Sequence, residues 1–166
     1  MWRDYQEIVA ITLHQPWAAL VALQGPKGKR YETRSWAPPR GMLKPGDYLA
    51  IHASLQSWPE TARELGPAEA ARLKMNCLRA GVHTDVHLIY GCVVAVTRYL
   101  GAVRTDSMKP SEREAMFGDW SFGRWAWELE LVESIEPPVL ATGHQKLWWW
   151  ATGSHDGPRR KGQLAL

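Results

Sequence analysis

The sequence predicts an α+β domain organised around a small antiparallel or mixed β-barrel of about five to seven short strands, with helices flanking it. Three observations lead there. Short apolar, β-branched runs recur along the chain and are separated by Gly- and Pro-rich turns. They do not interleave with helices in the rhythm of a parallel βαβ sheet. The segment Trp125–Leu131 alternates almost strictly, with Trp125, Trp127, Leu129 and Leu131 one way and Ala126, Glu128 and Glu130 the other. That is the pattern of a sheet with one wet face.

Taken in order, Ile8 to Leu13 reads as the first strand. Pro16 opens a short apolar helix that runs to about Leu23, because a proline in the first turn forfeits no hydrogen bond. Gly25-Pro26-Lys27-Gly28 is a turn, and Arg30 to Ser35 is the second strand, with Tyr31 and Thr33 on one face and Glu32 and Arg34 on the other. Loop punctuation follows at Ala37–Gly41 and Lys44–Asp47, then a third strand from Tyr48 to His52. A helical insertion occupies about 57–81. Ser57-Trp58-Pro59-Glu60 has capping-box spacing, Gly66 stops that helix, and Pro67 starts another that ends at Gly81. Val86 to Tyr99 is the longest strand expected, bulged at Gly91. Ser111 caps a short helix, and Leu147 to Trp150 is the last strand.

A chain of 166 residues is expected to fold as one domain, 1–166, with a core that needs neither disulfide nor metal. The start MWRDYQE lacks the apolar stretch of a secretory signal. No apolar run approaches the ~20 residues of a membrane span. Cys77 and Cys92 stand apart, without CxxC or ligand spacing, so a reduced, cytoplasmic setting and ordinary buried thiols are expected. His83 and His87 have the i,i+4 spacing of a helical metal pair, but Gly81 before them and the apolar run after them argue against a helix. No metal site or cofactor is expected.

Charge is unevenly placed although the formal total is only +3. Six bases (Lys27, Lys29, Arg30, Arg34, Arg40, Lys44) and one acid, Glu32, lie between Lys27 and Lys44. From Gly101 to Glu136 there are four bases and eight acids. A basic tail, about 153–166, carries Arg159, Arg160 and Lys161. Such asymmetry suits a polyanion or a phosphate-bearing ligand.

The basic run coincides with the most informative stretch of the chain, ITLHQPWAALVALQGPKGKRYETRSW from Ile11 to Trp36. Here His14, Gln15, Lys29, Glu32, Thr33 and Arg34 stand where apolar elements end. Polar groups that converge there must be solvated or hydrogen-bonded, as in a pocket. Lys29 and Arg34 are donors for a phosphate or carbonyl, and Glu32 accepts from an amine. Trp17 and Trp36 are candidates to stack a base, Trp17 equally a core residue of the helix. Phe117–Gly123 is a Gly-rich aromatic loop, a connector or a lid over the cleft. With ten tryptophans, of which Trp148-Trp149-Trp150 must point to both sides of a strand, some aromatic surface is expected outside the core.

These pieces, LHQPWAALVAL, KGKRYETRSW, the RG…LAIHAS return strand and GCVVAV, resemble the ASCH domain, a branch of the PUA-like β-barrels. The likeness is strongest to C-terminal ASCH domains of coactivators of the activating-signal-cointegrator type, whose lysine-rich HxG ending is echoed from Ser154 to Lys161. One departure stands out: the first Gly of the family's G-x-K box falls on Lys27. The resemblance implies a cleft-bearing barrel that takes RNA, DNA or a nucleoside-like ligand. Its cleft residues fall on Gln15, Trp17, Lys29, Glu32, Arg34 and Ser35, with His52 nearby.

The expectation is therefore a nucleic-acid-binding domain, monomeric and not membrane-bound. Lys27–Arg40 and the Arg159–Lys161 tail hold phosphates, and the cleft from His14 to Trp17 and Lys29 to Ser35 receives a base or a strand end. Two alternatives remain. One is a hydrolase with Lys29 and Glu32 as its catalytic pair, a ribonuclease or an N4-acylcytidine amidohydrolase. In the bacterial amidohydrolase branch the mechanism uses Lys-x-x-Thr, whereas this chain has Glu32 at that place. The other is a protein-interaction module.

Overall fold

The computed structural model describes residues 1–86 and 88–153. Six strands form one mixed sheet: β1 (Glu7–Leu13), β2 (Tyr31–Arg34), β3 (Tyr48–Ala53), β4 (Cys92–Arg104), β5 (Trp125–Leu140) and β6 (Leu147–Ala151). Their order across the sheet is β2-β5-β4-β3-β1-β6. β1 and β3 run parallel, and every other neighbouring pair is antiparallel. Four α-helices among the described residues accompany the sheet: α1 (Trp17–Ala22), α2 (Trp58–Leu65), α3 (Pro67–Ala80) and α4 (Glu112–Phe117). Among the described residues no helix is long and apolar enough to cross a membrane.

The period of two along the strands sorts side chains to two cores. Val9, Ile11 and Leu13 of β1 join Leu49, Ile51 and Ala53 of β3 in one cluster, together with Tyr99, Trp127 and Leu129. Ile8 and Ala10 join Ala50, Val93, Val96, Trp148 and Trp150 in the other. The tryptophan triplet obeys the same rule, since Trp149 packs on the first cluster while its neighbours serve the second. A third cluster binds the helices together through Leu20, Trp58, Leu73, Cys77 and Phe117. It forms the layer that carries the cleft described below.

Local signals are realised where they are self-sufficient. Ser57 and Glu60 make the reciprocal capping box at the start of α2, Gly81 ends α3 in the left-handed conformation, and Ser111 caps α4. Two strand boundaries differ from the sequence reading. Residues 84–86 form a turn and 88–90 are irregular, so β4 begins at Cys92 instead of Val86 and continues to Arg104. Gly91, at φ 68°, turns the chain just before the strand and is not a bulge within it. The bulges lie further on, the last between Tyr99 and Gly101. β5 in turn runs far beyond Leu131, to Leu140. Pro137 and Pro138 stay within it because they fall in the irregular stretch between Ser134 and Val139, where missing N–H groups cost no ladder bond.

The thiols are unremarkable: Cys77 is buried and Cys92 half-buried. Burial pushes the Cys77 thiol up to about 12, which leaves it without nucleophilic character.

Candidate functional site

A cleft of about 580 Å³ lies between α1, β2, α3 and α4. Its floor holds Lys29 and Glu32, its apolar walls include Trp17, Leu73 and Phe117, and Arg72 and Arg124 border it. The volume falls in the range of small-molecule sites.

The floor is built around a short helix held at both ends by side chains. At its start the Gln15 Oε1 accepts from the Ala19 N–H at 3.0 Å, while Gln15 Nε2 donates to the Ile89 carbonyl at 2.7 Å. At its end the Arg30 guanidinium donates to the carbonyls of Val21 at 3.1 Å and Leu23 at 2.8 Å. These are the carbonyls a helix terminus leaves without partners. Arg30 also donates to the Lys29 carbonyl at 2.9 Å, and the Lys29 N–H reaches the Leu20 carbonyl at 2.9 Å. Lys29 is thus fixed by backbone bonds on both sides of its α-carbon.

Its side chain is 1% exposed, and Nζ donates to Glu32 Oε2 at 2.6 Å. The other oxygen, Glu32 Oε1, lies 2.9 Å from Arg34 Nε. That contact is an ion pair more than a hydrogen bond, because the Nε–H has no well-directed acceptor. Burial alone pushes the Glu32 carboxyl up. The charges of Lys29 and Arg34 and the Lys29 hydrogen bond more than offset this, and the net result holds Glu32 below the ordinary carboxylate range. The floor is an ionised carboxylate between two cations.

Gly28 makes this arrangement sterically possible. A Cβ there would lie 2.4 Å from the Leu23 carbonyl oxygen and 2.5 Å from the Arg30 guanidinium. Gly28→Ala is therefore expected to displace Arg30 from the end of α1 and destabilise the domain by about 1–3 kcal/mol, measured by urea denaturation. A change below about 0.5 kcal/mol would mean that Arg30 yields without strain. Lys27, just before it, is exposed and leaves this close approach intact.

The remaining candidates divide into those the cleft gathers and those it does not. Trp17, Lys29 and Glu32 line it, and Arg34 touches it through Glu32. His14 is exposed and bonds Ser54 Oγ through Nδ1 at 2.7 Å. Gln15 is 1% exposed, and its amide is consumed by Ala19 and Ile89 as described. His52 sits in the second core, with Nε2 2.8 Å from the Ala141 carbonyl oxygen and Nδ1 3.2 Å from Thr12 Oγ1. Burial lowers its pKa, and the ring is a neutral packing group against Trp148. Trp36 packs edge-on to Trp127 at 5.0 Å. Ser35 and Arg40 are exposed beyond β2. Arg159, Arg160, Lys161 and His87 lie outside the described residues, as does the Ser154–Lys161 ending. His83, before the 84–86 turn, is not on a helix. No group of His, Cys, Asp or Glu that could hold a metal occurs among the described residues.

Sequence reasoning missed Glu69, Arg72 and Arg124, which border the cleft together with Asp119 of the Phe117–Gly123 loop. Arg72 and Glu69 pair on α3, and nothing in their i,i+3 spacing distinguishes them from an ordinary exposed pair. Arg124 is fixed by the Phe117–Gly123 loop. Its Nε donates to the Asp119 carbonyl and its Nη2 to the Thr33 carbonyl, both at 3.1 Å. Thr33 Oγ1 accepts from the Asp119 N–H at 3.1 Å, so the loop is tied to β2 as a wall. In formal charge the cleft lining is balanced: Lys29, Arg72 and Arg124 against Glu32, Glu69 and Asp119. The exposed bases Lys27, Arg40 and Lys44 lie outside it. Compared with known proteins, the chain matches no family model and no curated relative.

Proposed function

We propose that this chain is an ASCH-type domain of the PUA-like class, its open six-stranded sheet standing in place of the closed barrel expected from the sequence, and that it binds single-stranded RNA or DNA by taking one base into the cleft. The observation that carries the reading is the Lys29–Glu32–Arg34 array on the cleft floor. A buried ion array adds little to stability compared with apolar residues of the same size. Charged groups buried at the base of a concave, apolar-walled site point to a ligand instead. The balanced lining suits an uncharged base, while Lys27, Arg40 and Lys44 outside the cleft suit the phosphates.

The test is a salt titration of oligonucleotide binding. Affinity should fall steeply with salt through counterion release, and Arg40→Ala should lower the slope of log K against log[salt] by about 0.7 if one phosphate contact is lost. It should weaken all sequences alike. Salt-independent binding, or none, would overturn the reading.

Hydrolysis is the second reading, favoured by the 2.6 Å contact between Lys29 and Glu32 as a proton-transfer pair. Against it, Lys29 is 1% exposed and has little access to a substrate atom. No turnover of acylated cytidine is expected.

A further inference from the structure

We propose that the cleft selects guanine, the base whose edge presents two adjacent N–H donors, N1–H and an N2 amine N–H, to the Glu32 carboxylate. The inference rests on the base-binding reading above and adds to it the identity of the base. An ionised carboxylate has about four lone-pair sites, two on each oxygen. Oε2 spends one on Lys29 and Oε1 meets Arg34. Each oxygen keeps acceptor capacity, so the carboxylate can take two N–H donors from one ligand edge.

The relative exposure of the pair says which of them a ligand meets. The Lys29 side chain is 1% exposed and that of Glu32 11%, so the ammonium stands behind the carboxylate. A ligand reaching the floor therefore faces an acceptor and must donate. Guanine offers N1–H and an N2 amine N–H side by side. Adenine and cytosine set a ring-nitrogen lone pair beside their amine, and uracil flanks its one N–H with two carbonyls. In each of those cases an acceptor would face the carboxylate. A guanidinium or amidinium ligand has the donors but would bring a third positive charge against Lys29 and Arg34.

A guanine also needs a donor for its O6 or N7, and arginine is the usual one. Arg124 meets that need from a fixed position. Its Nε and Nη2 are held by the Asp119 and Thr33 carbonyls, and among the described residues Nη1 makes no hydrogen bond. Trp17 and Met116 give the cleft apolar flanks for a planar ring.

The experiment uses the full wild-type chain and labelled hexauridylates in which one residue is replaced by guanosine, adenosine, cytidine or inosine. The guanosine oligomer should bind about 10-fold or more tighter than the adenosine, cytidine and all-uridine ones, in the range a bidentate contact discriminates. Inosine keeps N1–H and O6 but lacks the N2 amine, and should lose most of that advantage. Glu32→Gln should abolish the preference, because its amide turns one acceptor into a donor. Should that variant fail to fold, the inosine comparison on wild type decides alone. Equal binding of all oligomers, a preference for another base, or inosine matching guanosine would overturn the inference and leave base binding standing. A guanosine preference that survives in folded Glu32→Gln would overturn the role of Glu32. Binding of none of them would overturn both.

Discussion

Lys29→Met is expected to destabilise the domain by about 3–5 kcal/mol and to abolish ligand binding. The change removes one member of a buried pair and leaves Glu32, 8% exposed, with Arg34 as its sole cation. Breaking a buried pair on one side costs that much because the surviving charge stays desolvated. Replacing both partners should behave differently. In Lys29→Met combined with Glu32→Leu no uncompensated charge is buried, since Arg34 is 29% exposed and free to turn to water. Most of the lost stability should return while binding does not. Urea denaturation and an oligonucleotide titration on the two variants separate the roles, and a single variant within about 1 kcal/mol of wild type would refute the buried pair. The sign of the pH dependence follows from the same floor. Glu32 has a lower pKa folded than unfolded, so its contribution is present above the ordinary glutamate value of about 4.3. It is lost as pH falls from there through the folded value. Lys29→Met should flatten the acid limb of stability.

What could be read in advance followed the range of the interactions involved. Strands β1 and β3, the Ser57 capping box and the Gly81 stop are specified by residues within a turn or a strand length, and they emerge where expected. The start of β4 did not. Val86–Tyr90 has the composition of a strand, but its groups serve distant elements: the Ile89 carbonyl accepts from Gln15, 74 residues away, and the Tyr90 hydroxyl from the Trp58 N–H. The extension of β5 was hidden by the acids and prolines after Leu131, which suit an edge or an irregular stretch better than a regular one. Among candidate site residues, Lys29 and Glu32 were legible because their charges stand three apart at the start of a strand. His52 and Gln15 bond protein groups outside the cleft for a physical reason. A polar side chain on a buried element needs a partner, and sequence does not say whether that partner is a ligand or a backbone group. For His52 it is the Ala141 carbonyl, 89 residues away. The arginines of α3 and of the loop before β5 reach the cleft only through packing of the helical layer, which leaves no local trace.

Trp127→Ala is expected to have an effect of similar size on stability, about 3–5 kcal/mol, and to reach the cleft through the sheet. Trp127 is fully buried in the first core. Its ring meets Tyr99 at 6.1 Å and Trp36 at 5.0 Å, and its Nε1 donates to the Trp36 carbonyl at 3.3 Å. Truncation to alanine leaves a cavity beside these two aromatic neighbours and strips that carbonyl of its donor. Trp127 is also the cross-strand partner of Glu32 in the β2–β5 ladder. β2 has only four residues and is held to the sheet by this one pairing, so loosening Trp127 should free Glu32 to move. Trp127→Phe keeps most of the apolar contact and loses the indole donor, and should cost about 1–2 kcal/mol. Urea denaturation gives the two stabilities. Oligonucleotide binding, measured where both variants are still folded, gives the coupling. The alanine variant should bind more weakly than wild type and the phenylalanine variant close to it. Wild-type affinity in the alanine variant would mean that Glu32 is positioned by Lys29 and Arg34 alone, with no help from the core beneath it.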